Sequence, residues 1–371
     1  MYIWEHATWP NLRWDANALA RPLGDANLLR GRLLGRMEQL GFHLRLEAEL
    51  LAMTEEAVNT AEIEGETLNR DSVRSSLARR LGLPHLALGP EDRRAEGMAA
   101  IALDASRNHA EPLTQERLFA WHAALFPTGR SGLFPIRIGA WRDDHLGPMQ
   151  VVSGAVGRQR VHYQAPPADR LEAEIRVFLA FFNEPRTIDG IIHAALSHLW
   201  FVTIHPFDDG NGRIARSIAD MSLARSEENQ QRFYSLSAQI MRDRTSDYYD
   251  ILEQTQKGER DITSYVAWFV DCFSRALKEA DRICNDVLRK AEFWQLHADA
   301  PLNERQRKLL NRVLDGFDGN LTTRRWASMG QCSQPTAQRD IKELIDLGIL
   351  VRNEGGSKNS SYRPAHEPNV M

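Results

Sequence analysis

The feature that most restricts the fold of this chain is a long apolar segment that ends at a histidine. Residues 191–204 are nearly all apolar, His205 follows them, and Pro206 comes next. The segment is too short to span a bilayer as a helix, and a proline ends the helical pattern before it. The sequence therefore predicts an apolar helix within a folded protein that delivers His205 to its end.

Composition places this helix in an ordinary soluble globular protein. The 371 residues are 43% hydrophobic and 26% charged, which predicts two or three domains with ample core. The net charge of −4 argues against nucleic-acid binding by the whole surface. Three cysteines without a CxxC pair, and a first segment unlike a signal peptide, predict a reducing, cytoplasmic location with no membrane partner.

The pattern along the chain changes three times. Apolar residues recur at helical spacing over about 15–80, 96–127 and 168–183. Between the last two of these regions the chain is glycine-rich, and two short β-prone runs, 149–153 and 160–163, predict a β-hairpin. From this pattern we predict three parts: an N-terminal helical region 1–95, a central region 96–297, which the family resemblance given below implies is the catalytic core, and a C-terminal domain 298–371.

The C-terminal part has the pattern of a winged helix-turn-helix. A helix, a short helix, a helix that starts at Pro335 and ends at Gly348, and a two-stranded ribbon follow in that order. Residues 303–363 carry eleven Lys and Arg against seven Asp and Glu, a modest excess that leaves DNA binding and partner docking both open. Candidates for the groove-facing side are Gln334, Thr336, Arg339 and Lys342, with Ala337, Ile341, Leu344 and Ile345 as core.

The polar chemistry of the chain is concentrated in residues 205–216, HPFDDGNGRIAR. Gly210 and Gly212 permit backbone conformations that other residues resist, and they let a ligand approach the main chain closely. The helix predicted after them begins with its unpaired N–H groups facing the loop, which suits an anion. The pattern thus indicates an anion-binding turn directly after His205.

Two arginines and an aspartate extend this pattern. Arg213 and Arg216 are three residues apart on one helix face, where positive charge opposes the helix dipole by roughly a few tenths of a kcal/mol each. Their placement favours a bound polyphosphate, against which Asp209 could hold Mg²⁺. His205 is suited to accept a proton from a hydroxyl near neutral pH. No P-loop and no HExxH motif is present in the sequence.

Residues 205–216 resemble the Fic family, whose signature H-x-F-x-[D/E]-G-N-G-R-x-x-R they match at every specified position. The resemblance implies a mainly α fold, a Fic-type helical bundle with a β-hairpin flap over about 142–163, plus the winged helix-turn-helix. It also implies an enzyme that transfers AMP from ATP, with Mg²⁺, to a Ser, Thr or Tyr hydroxyl of a target protein or of itself.

The resemblance further implies a role for each residue of the motif. His205 is the catalytic base, Phe207 packs inward to hold the loop, and Asp209 is the metal ligand. The residues implied in ATP and phosphate binding are Gly210, Asn211 and Gly212 for the α-phosphate, Arg213 for the β-phosphate, Arg216 for the γ-phosphate, and Tyr248 or Tyr249 for the adenine. A buried aromatic pair is the equally open alternative for the two tyrosines.

A second motif of the family lies far upstream. Glu64 ends an N-terminal helix, and charge reasoning alone favours an exposed glutamate at a fraying end. However, the segment from Thr60 to Gly65 resembles the Fic inhibitory motif [S/T]-x-x-x-E-[G/N]. The resemblance implies that Glu64 pairs with Arg216 and that Thr60 tethers the helix, so that ATP binds unproductively.

Other interpretations stay open at this stage. The chain could be a DNA-binding regulator with a Fic-like sensor body, or a Fic enzyme that transfers another nucleotide or a phosphoryl group. It could also remove AMP from a target, and it could act as a homodimer.

Overall fold

The structure, a computed structural model, describes residues 1–365 except 88, 146, 155–157, 186, 244, 315–319 and 354–359. It is mainly helical, as predicted, and divides into two compact units, Met1–Ala280 and Asp281–Met371. Within the described part of the chain, no helix combines the length and the apolar character needed to cross a membrane.

The structure describes eleven α-helices up to the division between the two units. That division falls within the eleventh helix. Their bounds are α1 Ala16–Glu38, α2 Phe42–Ile63, α3 Arg70–Arg80, α4 Arg93–Arg107, α5 Gln115–Leu125, α6 Leu171–Asn183, α7 Gly190–Ile204, α8 Asn211–Glu227, α9 Leu236–Arg242, α10 Thr245–Gln256 and α11 Thr263–Leu296.

The apolar helix α7 lies at the centre of the first unit. All of its residues from Ile191 to Ile204 are buried, as a helix that is apolar on every side requires. Its main partner is α8, which in turn packs on α2, α4 and α5. This arrangement brings the end of α2, the start of α8 and the loop between α7 and α8 together.

The first unit also holds two antiparallel hairpins. The first pairs β1 (Arg130–Ser131) with β2 (Phe134–Pro135), and the second pairs β3 (Gln150–Ser153) with β4 (Arg160–Gln164). The second hairpin confirms the predicted one, and its register shifts between Val151 and Val152.

The second unit has its own core and a small sheet. Its elements are α12 Glu304–Leu314, β5 Leu321–Thr322, α13 Thr323–Met329, α14 Gln334–Asp346, β6 Leu350–Arg352 and β7 Ser361–Pro364, with the strands in the order β5-β7-β6. Trp326 is fully buried in this core, and its indole donates to the buried carboxylate of Asp340, which also accepts two bonds from Arg305.

The predicted core face of α14 is right at three positions and wrong at one. Ala337, Ile341 and Leu344 are buried in the core, whereas Ile345 is 38% exposed. The stripe of buried positions runs through 337, 340, 341 and 344, so Asp340, paired with Arg305, takes the fourth core position. The winged helix-turn-helix itself stays a prediction.

Candidate active site

Helix α7 ends at His205, whose backbone lies in the left-handed region with φ 51° and ψ 58°. Its N–H still donates to the carbonyl oxygen of Phe201 at 3.0 Å, so the helical ladder extends to this residue. A left-handed conformation costs a residue with a Cβ about 1 kcal/mol. Because the rest of the helix is buried, its packing can sustain this cost and fix where the imidazole leaves the helix.

The imidazole of His205 has a defined tautomer. Its Nδ1 lies 3.1 Å from the carbonyl oxygen of Val202, which can only accept, so Nδ1 carries the proton and Nε2 is left with a lone pair. Burial lowers the pKa of His205 below its usual 6.5, and nearby Arg142 acts in the same direction. The Val202 carbonyl and the carboxylates of Glu64 and Asp209 oppose this shift without cancelling it. The side chain is therefore a neutral proton acceptor at pH 7.

The loop after His205 is closed by its own side chains. The amide of Asn211 accepts from the backbone N–H of Phe207 at 2.9 Å and donates to the carbonyl oxygen of the same residue at 2.8 Å. Gly210 has φ +83°, and a Cβ there would lie 2.9 Å from the ring of Phe126. Only glycine combines this conformation with this space, which explains the glycine at 210.

Phe207 is fully buried, and it stacks on a histidine that the sequence did not single out. The rings of Phe207 and His122 are 4.2 Å apart and nearly parallel, at 7°. The N–H of Gly139 donates to Nδ1 of His122 at 3.2 Å, and burial lowers the pKa of His122 to about 4. The neutral His122 ring on α5 thus packs against the Phe207 ring of the loop.

Arg142 ties the start of the motif to the segment before the second hairpin. Its side chain is buried, with its Nε–H donating to the carbonyl oxygen of His205 at 2.8 Å and its Nη2 donating to that of Pro166 at 2.6 Å. Its backbone N–H donates to the carbonyl oxygen of Pro206 at 2.9 Å. The Asp144 carboxylate pairs with Nη1 at 2.7 Å and supplies the opposite charge.

Asp209 presents its carboxylate beside the loop. One oxygen accepts from the N–H of Gly210, the other accepts from the hydroxyl of Ser131 in β1, and the side chain is 38% exposed. The described residues hold no cluster of three or more His, Cys, Asp or Glu that could bind a metal ion. One exposed carboxylate fits Mg²⁺ that arrives with phosphates, since that ion takes most of its other ligands from phosphates and water.

Arg213 and Arg216 project from the first turns of α8, and both are buried. Arg213 pairs with Glu66, lies 3.4 Å from Asp209, and places its guanidinium 4.9 Å from the centre of the Phe126 ring. The two arginines thus lie beside the glycine-containing turn, where carboxylates pair with both of them.

Arg216 is bonded to the end of helix α2. Its Nε donates to the Thr60 hydroxyl at 2.7 Å, and its Nη2 donates to the Thr60 carbonyl oxygen at 2.8 Å and to the Glu64 carboxylate at 2.8 Å. The Glu64 charge raises the pKa of Arg216 above its usual value against the effect of burial, so the guanidinium is charged. The structure therefore brings Arg216 into contact with Glu64 and Thr60, which lie 152 and 156 positions earlier in the sequence.

The carboxylate of Glu64 lies directly over Gly212. A Cβ at position 212 would fall 2.1 Å from Oε1 of Glu64 and 3.2 Å from Nη1 of Arg216. The absence of a side chain at 212 therefore leaves a place for an oxygen anion between the loop and Arg216, and Glu64 fills that place here.

The two tyrosines of α10 differ in their surroundings. Tyr248 is buried, and its hydroxyl lies 3.3 Å from Nη1 of Arg216. Tyr249 is 41% exposed, and its hydroxyl donates to the carbonyl oxygen of Ile63 at the end of α2 at 2.9 Å. Both lie beside the Arg216 cluster.

Comparison with known families assigns two parts of the chain. Residues 112–223, which include the whole motif, match the Fic/DOC family, and residues 2–83 match a domain of unknown function (DUF4172).

The chain also resembles named proteins over its motif region. It is 35% identical over 138 residues to a protein adenylyltransferase Fic from Nematostella vectensis, a match covering 36% of this chain and 30% of that protein. It is 29% identical over 139 residues to one from Aedes aegypti, a match covering 36% and 26%. The chain therefore spans less than a third of the length of these curated relatives.

Solved structures share the fold more widely. A Fic family protein from Desulfovibrio desulfuricans G20 superposes with a TM-score of 0.55 at 21% identity, covering 95% of this chain and 97% of the other. A Fic-1 fragment from C. elegans superposes with a TM-score of 0.50 at 19% identity, covering 72% and 73%. These likenesses establish the Fic fold.

Proposed function

We propose that this chain, which carries a Fic/DOC domain over residues 112–223, is a protein adenylyltransferase that moves AMP from ATP to a hydroxyl side chain. One observation carries the proposal. His205, whose Nε2 keeps a lone pair, directly precedes a glycine-containing turn at a helix N-terminus, and two buried arginines, each paired with a carboxylate in this structure, lie in the first turns of that helix. The relatives named as adenylyltransferases support the same reaction class.

In the proposed reaction, Nε2 of His205 takes the proton of a Ser, Thr or Tyr hydroxyl as the oxygen attacks the α-phosphorus of ATP. A bond forms from that oxygen to the α-phosphorus, and the bond to the oxygen that bridges to the β-phosphorus breaks. Pyrophosphate leaves with both bonding electrons. The lowered pKa of His205 suits it to this step, because the base is already neutral at pH 7.

The turn supplies groups for each phosphate. The N–H of Gly212 and the second amide hydrogen of Asn211 hold the α-phosphate in the proposed reaction, and the N–H of Gly210 joins them when it exchanges the Asp209 carboxylate for the phosphate. Arg213 holds the β-phosphate and Arg216 the γ-phosphate. Asp209 would hold Mg²⁺, which neutralises phosphate charge when bound. Tyr249, partly exposed beside the cluster, takes the adenine side.

Helix α2 inhibits this activity in our proposal. Glu64 and Thr60 together supply three of the acceptor atoms that Arg216 contacts, and Glu64 occupies the space over Gly212. A γ-phosphate needs the same guanidinium. The N-terminal region 1–95 would thus hold the enzyme in a state where ATP is bound without productive alignment.

Transfer is tested by incubating the Glu64→Gly variant with α-labelled or γ-labelled ATP. We expect covalent label from the α position only, more of it than in the parent, and none in Glu64→Gly/His205→Ala. Label from the γ position would mean phosphoryl transfer. Label that survives the loss of His205 would refute the proposed base, and efficient labelling by UTP in place of ATP would change the group transferred.

Release of AMP is the reverse direction to check. An AMP-labelled product, once purified, should keep its label when parent protein is added. Loss of the label that depends on Glu64 would show that the same site also removes AMP.

A second function is proposed for residues 298–371, namely DNA binding. Helix α14 exposes Gln334, Arg339 and Lys342, and residues 303–363 carry eleven Lys and Arg against seven Asp and Glu. A gel shift with a salt titration tests it, since phosphate contacts weaken as salt rises. Absence of a shift at low salt would leave partner docking as the role of this unit.

A further inference from the structure

Arg216 is bonded to a second set of groups that does not belong to the motif or to α2. The hydroxyl of Tyr248 lies 3.3 Å from Nη1 of Arg216 and 3.1 Å from Nε2 of His198 on α7. Nδ1 of His198 in turn lies 2.8 Å from the hydroxyl of Tyr265 on α11. All four side chains are buried. A chain of hydrogen bonds thus connects Arg216 with the centre of the first unit.

Chemistry fixes the direction of the first bond in this chain. A guanidinium can only donate, so the oxygen of Tyr248 accepts from Arg216. Nε2 of His198 lies within hydrogen-bond distance of the same hydroxyl, and its Nδ1 lies within hydrogen-bond distance of the Tyr265 hydroxyl. The neutral His198 ring therefore bonds both tyrosines, with one nitrogen as donor and the other as acceptor.

The surroundings keep His198 neutral. Burial, and to a smaller degree the charge of Arg216, lower the pKa of His198 to about 3. The cavity beside the chain is lined by His198, Tyr248 and Arg216 together with apolar side chains, among them Leu236, Ile240 and Trp268.

The partners of Arg216 divide into two groups. Among the described residues, four atoms accept from its guanidinium, and three of them belong to Thr60 and Glu64 of α2. The fourth is the Tyr248 hydroxyl, on α10. If Glu64 alone is withdrawn, the two Thr60 oxygens and the Tyr248 hydroxyl remain as acceptors, and Tyr248 is the one that faces Nη1 from outside α2.

We infer that Tyr248 and His198 are positioning residues, which hold the Arg216 guanidinium ready for the γ-phosphate of ATP when Glu64 is withdrawn. This inference rests on the proposed function for the role of Arg216. It gives Tyr248 a task that its buried hydroxyl can perform, through Arg216 rather than on the adenine.

The test measures nucleotide binding in the Glu64→Gly background at equilibrium, with ATP and ADP compared. Tyr248→Phe should weaken ATP binding about tenfold, the usual size for the loss of one hydrogen bond to a charged group. ADP binding should change less than twofold, because ADP has no γ-phosphate for Arg216 to contact. His198→Leu should behave like Tyr248→Phe. His198→Gln should restore binding, since its amide offers one acceptor and donors in similar places.

The matched control is Tyr234→Phe. The Tyr234 hydroxyl is also buried and also accepts from an arginine, Nη1 of Arg232 at 2.6 Å, but it takes no part in the motif. Its removal should lower the melting temperature about as much as Tyr248→Phe does and leave the Kd for ATP unchanged.

Each of the other outcomes contradicts the positioning role, the proposed function or both. An unchanged Kd for ATP in Tyr248→Phe, or an equal loss for ATP and ADP, overturns the positioning role. A His198→Gln variant as weak as His198→Leu overturns the part assigned to His198. Normal nucleotide binding without any transfer from α-labelled ATP refutes the proposed function alone. No ATP binding by the Glu64→Gly protein overturns both.

Discussion

The Nε–H of Arg142 donates to the carbonyl oxygen of His205 at 2.8 Å, so a buried guanidinium fixes the backbone of the proposed base. The same side chain bonds Asp144 and Pro166. We expect Arg142→Lys to lower kcat for AMP transfer by at least about tenfold in the Glu64→Gly background, since misplacement of a catalytic group is costly. It should also destabilise the protein by about 2 kcal/mol, because buried acceptors lose their donors.

Arg117→Lys is the control for that variant. Arg117 is also largely buried and bonds Asp104 and several backbone carbonyl groups, among them that of Asn108. It should lose stability, measured by urea unfolding, without a change in kcat. An Arg142→Lys protein with full kcat would show that His205 does not need this anchor.

The activity of the Glu64→Gly variant should depend on pH in one direction. Burial holds the pKa of His205 below 6.5, so the neutral form dominates above that pH and the protonated, inactive form appears as the pH falls. Removing Glu64 takes away a charge that raises this pKa. The initial rate of AMP labelling should therefore reach a plateau on the alkaline side and fall as the pH is lowered, with a midpoint below pH 6.5. A midpoint above 6.5 would contradict a neutral buried base.

Thr60→Val should release the inhibition in part. The substitution keeps the shape of the side chain and removes the hydroxyl that accepts from Nε of Arg216 at 2.7 Å, while Glu64 stays in place. AMP labelling should fall between that of the parent and that of Glu64→Gly. Thr54→Val, on the same helix, removes a buried hydroxyl that bonds only its own helix at Leu50, and labelling should match the parent. Equal labelling in both valine variants would argue against a role for Thr60.

Two glycine substitutions should change stability with opposite signs. A Cβ at Gly97 in α4 would lie 2.0 Å from the backbone oxygen of Ala124 at the end of α5, so Gly97→Ala should destabilise by about 1–3 kcal/mol. Gly24 in α1 is exposed with no atom near its Cβ position, so Gly24→Ala should stabilise by about 0.5–1 kcal/mol. Urea unfolding of both variants checks the pair. A stable Gly97→Ala protein would mean that α4 and α5 can separate without cost.

The pattern of apolar and β-prone residues was sufficient to predict the elements that are formed by residues close together in the sequence. The apolar run predicted α7 with His205 at its end, and the β-prone runs predicted the hairpin of β3 and β4. The residues of the motif lie on one loop and one helix turn, so their closeness followed from spacing alone.

The same pattern could not predict contacts between segments that are distant in the sequence. His122 and Arg142 support the loop from positions 63 or more residues away, and periodicity shows which face of a helix is buried but not what covers it. The Glu64 and Arg216 contact was expected only through the family resemblance, because charge reasoning favoured an exposed glutamate. Ile345 was misplaced because the paired Asp340 occupies a core position that hydrophobicity assigns to an apolar residue.

The left-handed backbone of His205 has a consequence for any effort to make this protein more robust. Glycine or asparagine would adopt φ 51° more readily than histidine, so either should raise the thermal midpoint while removing the imidazole. A laboratory selection of variants for thermal stability alone should therefore favour replacement of His205. The left-handed backbone of His205 thus ties the proposed activity to a local cost in stability.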